Sequence, residues 1–153
     1  MKTKKILAFV LTLAMALFML VSCGKGGSTP SGNEGDTFTV VVAGEVVCEY
    51  TVPLDKITGE DGFISVLDYL EEMDVIDYEL DGTMLKKVGE LENDAAAGEW
   101  IYLYTTVSDD IDVSQYAMTV EYDGKSITST GVGAYDMSIE KDAVIYVGII
   151  VYE

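Results

Sequence analysis

The chain has 153 residues, of which 27 are acidic, nine are lysine and none is arginine or histidine, giving a formal net charge of −18. Such an excess of negative charge repels nucleic acid and anionic headgroups, so neither is an expected partner. The lack of histidine removes Ser–His and Cys–His nucleophilic pairs and the commonest zinc and haem ligand. Adjacent carboxylates arise by chance at this acid content, no recognisable catalytic constellation is left, and the chain is not expected to be an enzyme.

Lys2, Lys4 and Lys5 open the chain, and an uncharged apolar stretch of 16 residues follows over positions 6–21. A membrane-spanning helix needs about 20 such residues, whereas these proportions suit the apolar core of a secretory signal peptide. The stretch runs out in Leu20-Val21-Ser22-Cys23. This resembles the bacterial lipobox, in which a small residue precedes a cysteine acylated on its sulfur. That resemblance implies a lipoprotein signal peptide over residues 1–22, acylation at Cys23, and an extracytoplasmic protein anchored to the cell membrane by lipid. Two or three acyl chains on one residue hold a protein to a bilayer stably. All 27 acidic residues lie beyond the signal segment, against six of the lysines, so the mature charge is 6 minus 27, or −21.

Residues 24–36, GKGGSTPSGNEGD, are rich in Gly and Ser and read, with Cys23, as a flexible lipid-anchored linker. Fully extended, these residues reach at most about 45 Å, so the folded part from residue 37 to 153 is expected close to the membrane. Acylation of Cys23 would take up the only other cysteine of the chain, and Cys48, in an apolar strand-like run, is expected as a small buried hydrophobe.

Residues 37–43 and 46–51 are β-branched runs around Gly44-Glu45, which predicts a hairpin with a two-residue turn. Phe63, Val66, Leu67, Leu70 and Met73 recur at helical spacing, which predicts one helix over residues 62–73 with Asp61 as its N-cap. Residues 76–80 and 84–88 flank Asp81-Gly82-Thr83 as a second hairpin, and residues 93–98 read as a loop. The run EWIYLYTTV over 99–107 is a strand by its aromatic and β-branched content. An acidic loop follows at 108–112, then a hairpin of residues 118–122 and 125–129 around Asp123-Gly124. Residues 143–152 are nearly all apolar, as in a central strand buried on both faces. Together these elements predict an α+β domain, a mixed sheet with one main helix packed across it, and a β-grasp-like arrangement if the final strand lies beside the first.

Several segments together carry a family pattern. After the opening hairpin come Ser65-Val66-Leu67-Asp68-Tyr69-Leu70 and Met84-Leu85-Lys86-Lys87-Val88-Gly89. The aromatic run Trp100-Ile101-Tyr102-Leu103-Tyr104 follows, and Ser138-Ile139-Glu140-Lys141-Asp142-Ala143-Val144-Ile145 leads into the last strand. Over residues 38–153 this resembles the small domains related to the C-terminal domain of transcobalamin and intrinsic factor, whose bacterial members are often surface lipoproteins. The resemblance implies a β-grasp-like fold and makes cobalamin a ligand to expect, with no cofactor required. Without histidine, any corrinoid would keep its own lower ligand or take another residue.

Trp100, Tyr102 and Tyr104 alternate along one strand and point to one face. Under the helix they would be core; on an open face they would form a platform for a planar ligand. With Tyr135 in the 131–136 loop, they are the candidate ligand-binding residues. Asp77, Glu79 and Asp81 resemble the first half of a calcium loop, but Val88 stands where its bidentate glutamate belongs. Asp109, Asp110 and Asp112 form a second acidic cluster, read as a solvated loop, so no metal site is expected. The leading expectation is a non-catalytic extracytoplasmic binding module; the alternative is a structural or adhesive surface module contacting other envelope proteins.

Overall fold

The computed structural model describes residues 35–152. The signal-like stretch, Cys23 and all but the last two residues of the expected linker lie outside the described residues. Strands β1 (Thr37–Ala43) and β2 (Val47–Pro53) pair antiparallel from Thr37↔Pro53 to Ala43↔Val47. The register leaves residues 44–46 as a three-residue loop instead of the expected two-residue turn. Pro53 has no N–H to give a ladder and ends an edge strand, where that loss is tolerated. Cys48 is only partly buried on β2, packed against the helix-side core, instead of fully buried as expected.

A short 3₁₀ turn (Leu54–Lys56) leads to the helix α1 (Gly62–Glu72). Phe63, Val66, Leu67 and Leu70 are buried along one face, whereas Asp68, Glu71 and Glu72 are exposed. Met73 is the C-cap and is exposed, so it does not join the apolar face. Asp61 precedes the helix without a side-chain cap; its own N–H donates to Ser65 Oγ at 3.0 Å. The start of α1 is held from elsewhere. Phe63 N–H donates to the Ala134 carbonyl at 2.8 Å, and Gly62 adopts φ +51° against the 134–137 loop.

Strands β3 (Tyr78–Asp81), β4 (Met84–Val88) and β5 (Leu91–Glu92) make a small antiparallel sheet, separate from the main one. The expected hairpin at Gly82 is present, while β5 and the division into two sheets go beyond the sequence reading. The main sheet adds β6 (Glu99–Thr105), β7 (Thr119–Tyr122), β8 (Lys125–Ser129) and β9 (Val144–Val151). Its order is β2-β1-β9-β6-β8-β7, with β9 parallel to β1 and every other pair antiparallel. The sheet is therefore mixed, with one helix against it.

Alternation along the central strands feeds two cores. Phe38, Val40 and Val42 of β1 join Leu103, Ile145 and Val147 under α1 and the small sheet. Val41, Tyr104, Ile127 and Val144 form a second core on the opposite face. That face is covered because the sheet curls. Its two edge strands meet where the Tyr122 hydroxyl of β7 donates to the Glu49 carboxylate of β2. The first half of β9 is buried on both faces as expected, whereas Val151 and Tyr152 at its end are exposed. The acidic loop before β7 is tied down by Asp110, only 5% exposed, whose carboxylate accepts from Ser138 N–H at 2.5 Å and Ser138 Oγ at 3.2 Å.

Three substitutions probe these ties. In Gly62→Ala the new Cβ would stand 2.7–2.8 Å from three carbonyl oxygens, at a positive φ that strains any other residue. The expected loss is about 2–3 kcal/mol, read from the urea midpoint; an unchanged midpoint would show that the helix start is not pinned. Asp110→Ala removes the buried carboxylate that accepts from the Ser138 N–H and hydroxyl, and about 1–3 kcal/mol is expected to be lost in the same assay, as for hydrogen bonds to a charged group.

The third concerns Tyr122. Burial first, then the hydrogen bond to Glu49, push its hydroxyl from 10.0 up to about 12. The folded state thus keeps a proton that the unfolded state releases. The associated stability is complete below pH ~10 and lost as pH rises through ~12. Ring-labelled tyrosine NMR is expected to show Tyr122 titrating late, and Glu49→Gln to bring it earlier. Coincident curves for the two proteins would exclude the contact.

Candidate ligand-binding groove

The side chains of β6 divide between the two faces of the main sheet. Ile101 and Leu103 pack in or against the helix-side core, which places Trp100, Tyr102 and Tyr104 on the other face. These three do not share one environment. Tyr104 is 4% exposed in the second core, with its ring edge-to-face against Tyr102 (5.7 Å, 61°) and Tyr146 (5.8 Å, 85°). Tyr102 and Trp100 are partly buried, toward the open end of the strand. Burial is the main reason that the hydroxyls of Tyr102 and Tyr104 titrate above their ordinary value. The aromatic row thus runs from core at Tyr104 toward the rim at Trp100.

Trp100 and Tyr102 meet at a groove of about 380 Å³. Its floor is the run of four consecutive β6 residues from Trp100 to Leu103. Since neighbouring side chains of a strand point to opposite faces, four in a row reach one groove only if it lies along the strand's edge. One wall is Thr83, Met84, Leu85 and Asn93; the other is Thr130, Val132, Gly133 and Ala134, and Tyr152 completes it. Met84 and Tyr152, 56% and 59% exposed, leave apolar surface at the mouth. None of the thirteen lining residues is charged, in a chain where 24% of residues are.

The groove exists because β8 leaves β6 early. Their pairing covers only Tyr104↔Ser129 and Thr105↔Thr128. Beyond it the chain at 130–134 swings out toward α1, where the Ala134 carbonyl accepts from Phe63 N–H in the helix's first turn. At the other end Asn93 spans the gap between β4 and β6: its Oδ1 accepts from Ile101 N–H at 2.7 Å and its Nδ2 donates to the Leu85 carbonyl at 2.8 Å. Asn93 falls in the 93–98 stretch that reads from sequence as a plain loop, and nothing in its local pattern marks this bridge. Met84 and Tyr152 could have been noticed as apolar residues at strand ends.

Tyr135 lies elsewhere. It is partly buried against the helix-side core, away from the lining of the groove. It approaches Tyr78, whose hydroxyl is pushed up by burial first and then by its 2.5 Å hydrogen bond to Asp68. The structure therefore brings two of the four aromatic candidates together and sets Tyr104 and Tyr135 apart.

The acidic segments are engaged locally. The half calcium loop is strand β3 with its approach, and Asp77 and Glu79 pair with Lys87 (2.6 Å) and Lys86 (3.1 Å). Asp110 is turned inward, and Asp112 Oδ1 accepts from Ser114 N–H at 2.8 Å. Among the described residues no three potential metal ligands gather at one point. No helix of the described residues is long and apolar enough to cross a membrane. What the groove offers chemically is apolar and aromatic contact with a few neutral polar groups, the composition of a binding site. No family model matches the chain, and no curated protein matches it.

Proposed function

We propose that this chain is a non-catalytic extracytoplasmic binding module on a lipid anchor at Cys23, and that the β6 groove is where it holds a small ligand. The observation that carries this reading is the uncharged, aromatic-walled groove on an otherwise strongly acidic chain. The order β2-β1-β9-β6, with β9 parallel to β1 and α1 laid against the sheet, supports a β-grasp-like arrangement. It agrees with the resemblance to transcobalamin C-terminal domains, and on that ground a corrinoid is the first ligand to try. The second reading, a structural or adhesive module in the cell envelope, is favoured by Val113 and Tyr116, 91% and 76% exposed in the loop before β7. Such residues suit a protein contact.

Incubation of the full chain with cobalamin at about 10 μM, a concentration suited to modest affinity, is expected to give coloured protein on gel filtration. Trp100→Ala is expected to weaken retention about tenfold, in line with loss of one aromatic anchor. Colourless protein at that concentration rejects the corrinoid version. For the anchor, fatty-acid labelling is expected in cells producing the natural chain and to vanish in Cys23→Ser. Acylation occupies the Cys23 sulfur, and the chain has only two cysteines. A lipidated molecule and one that uses Cys23 in a disulfide are thus different species with different intact masses. A mass without acyl groups would remove the anchor.

A further inference from the structure

The outer edge of β6 can be followed atom by atom. Even-numbered positions face β9, as Tyr152 N–H donating to the Gly98 carbonyl (3.0 Å) and Thr106 N–H donating to Val144 (3.1 Å) show. Odd-numbered positions therefore turn their N–H and C=O away from β9, toward the groove. Glu99 exchanges both bonds with Asp94, at 2.8 and 2.9 Å. Ile101 N–H goes to Asn93 Oδ1 at 2.7 Å. The Leu103 carbonyl accepts from Thr130 N–H at 2.9 Å, and Thr105 pairs with Thr128. Two groups are left: the Ile101 C=O and the Leu103 N–H have no partner among the described residues. Both belong to residues that line the groove. Backbone groups at a strand edge rarely stay unpaired once water is excluded.

A C=O at one position and an N–H two positions on, facing the same side, are what a parallel strand presents to a single residue of its neighbour. That residue's own N–H donates to the first and its own C=O accepts from the second. The spacing demands an N-acylated α-amino-acyl unit; one carboxamide has its donor and acceptor too close together to reach both. Asn93 and Thr130 occupy the edge on either side, so only one residue fits before the ligand must turn outward. Its side chain falls on the face of Tyr102. The neutral lining would leave a charged side chain desolvated without a counter-charge.

We propose that the groove reads one uncharged residue of an extended peptide segment, held parallel to β6 by the Ile101 carbonyl and the Leu103 amide. This rests on the groove being the binding site and names the chemistry that it selects. Main-chain bonding to an exposed strand edge with side-chain selection beside it is an established mode of peptide capture.

The test is amide NMR of the ¹⁵N-labelled full chain titrated with N-acetyl-leucine-N-methylamide and with its analogue in which the acetamide N–H is replaced by an ester oxygen. The Leu103 amide proton is expected to move downfield, while that of Tyr102, bonded to β9, stays in place. Half-saturation is expected in the range of about 1–10 mM for so small a probe, with the ester roughly 2- to 12-fold weaker for loss of one hydrogen bond. Equal affinity of the two probes overturns the proposal. So does a cobalamin titration that moves Leu103 when the peptide does not, which would make a small molecule the occupant. If Trp100 fluorescence responds to a ligand while Leu103 never moves, the groove binds but does not read a peptide residue. If neither responds to any of the three at about 10 mM, the proposal and the groove as a site fall together.

Discussion

Strand β9 lies between β1, which it meets in parallel, and β6, which it meets antiparallel, and the rest of the architecture depends on that placement. The strand formed last along the chain occupies the middle of the main sheet. The hairpin of β1 and β2 has no bond to β6 except through it. Both cores draw on it: Ile145 and Val147 fill the helix side, and Val144 fills the curled side. Contacts of such long sequence separation close slowly, because the loop entropy is lost before the contact forms. The two halves of the domain are therefore expected to become one cooperative unit only when the C-terminal strand docks.

The groove follows from the same geometry. Because β9 takes one side of β6, the other side is left for β8, and β8 uses only its far end. The chain then turns away to serve α1, giving the Ala134 carbonyl to the Phe63 N–H in the helix's first turn and stacking carbonyls against Gly62. One segment thus closes the helix start and opens the strand edge. The pocket is a by-product of what the helix needs at its N-terminus, and its walls come from four separated stretches of chain.

Local pattern carried much of this fold. The spacing of Phe63, Val66, Leu67 and Leu70 is a helical stripe by itself, and the aromatic run of β6 and the apolar run of β9 are strands on composition alone. The Asp123-Gly124 and Gly82 turns were legible because few residues tolerate their backbone angles, and both glycines sit at positive φ. What escaped depended on distant partners. Asp61 looks like an N-cap, but the helix start answers to residues some seventy positions away. Period-two alternation correctly sends Trp100, Tyr102 and Tyr104 to one face, yet it says nothing of depth. Depth is set by how far the β7–β8 hairpin curls over, so Tyr104 became core and Trp100 reached the rim. Asn93 and Thr130 have no local signal, because each matters only through β6.

The contact between Tyr122 and Glu49 has a consequence for how copies of the chain meet one another. An open six-stranded sheet offers a strand edge at each end to any neighbouring copy, and unprotected edges of this kind recruit further strands into aggregates. Here the two outermost strands are folded toward each other, with a carboxylate and a proline on one of them. A lipid anchor would hold many copies at high local density, where edge-to-edge pairing is most dangerous. Curling the sheet hides its outer margins, and the one stretch of edge left unpaired on β6 lies recessed in a groove too short to template a strand.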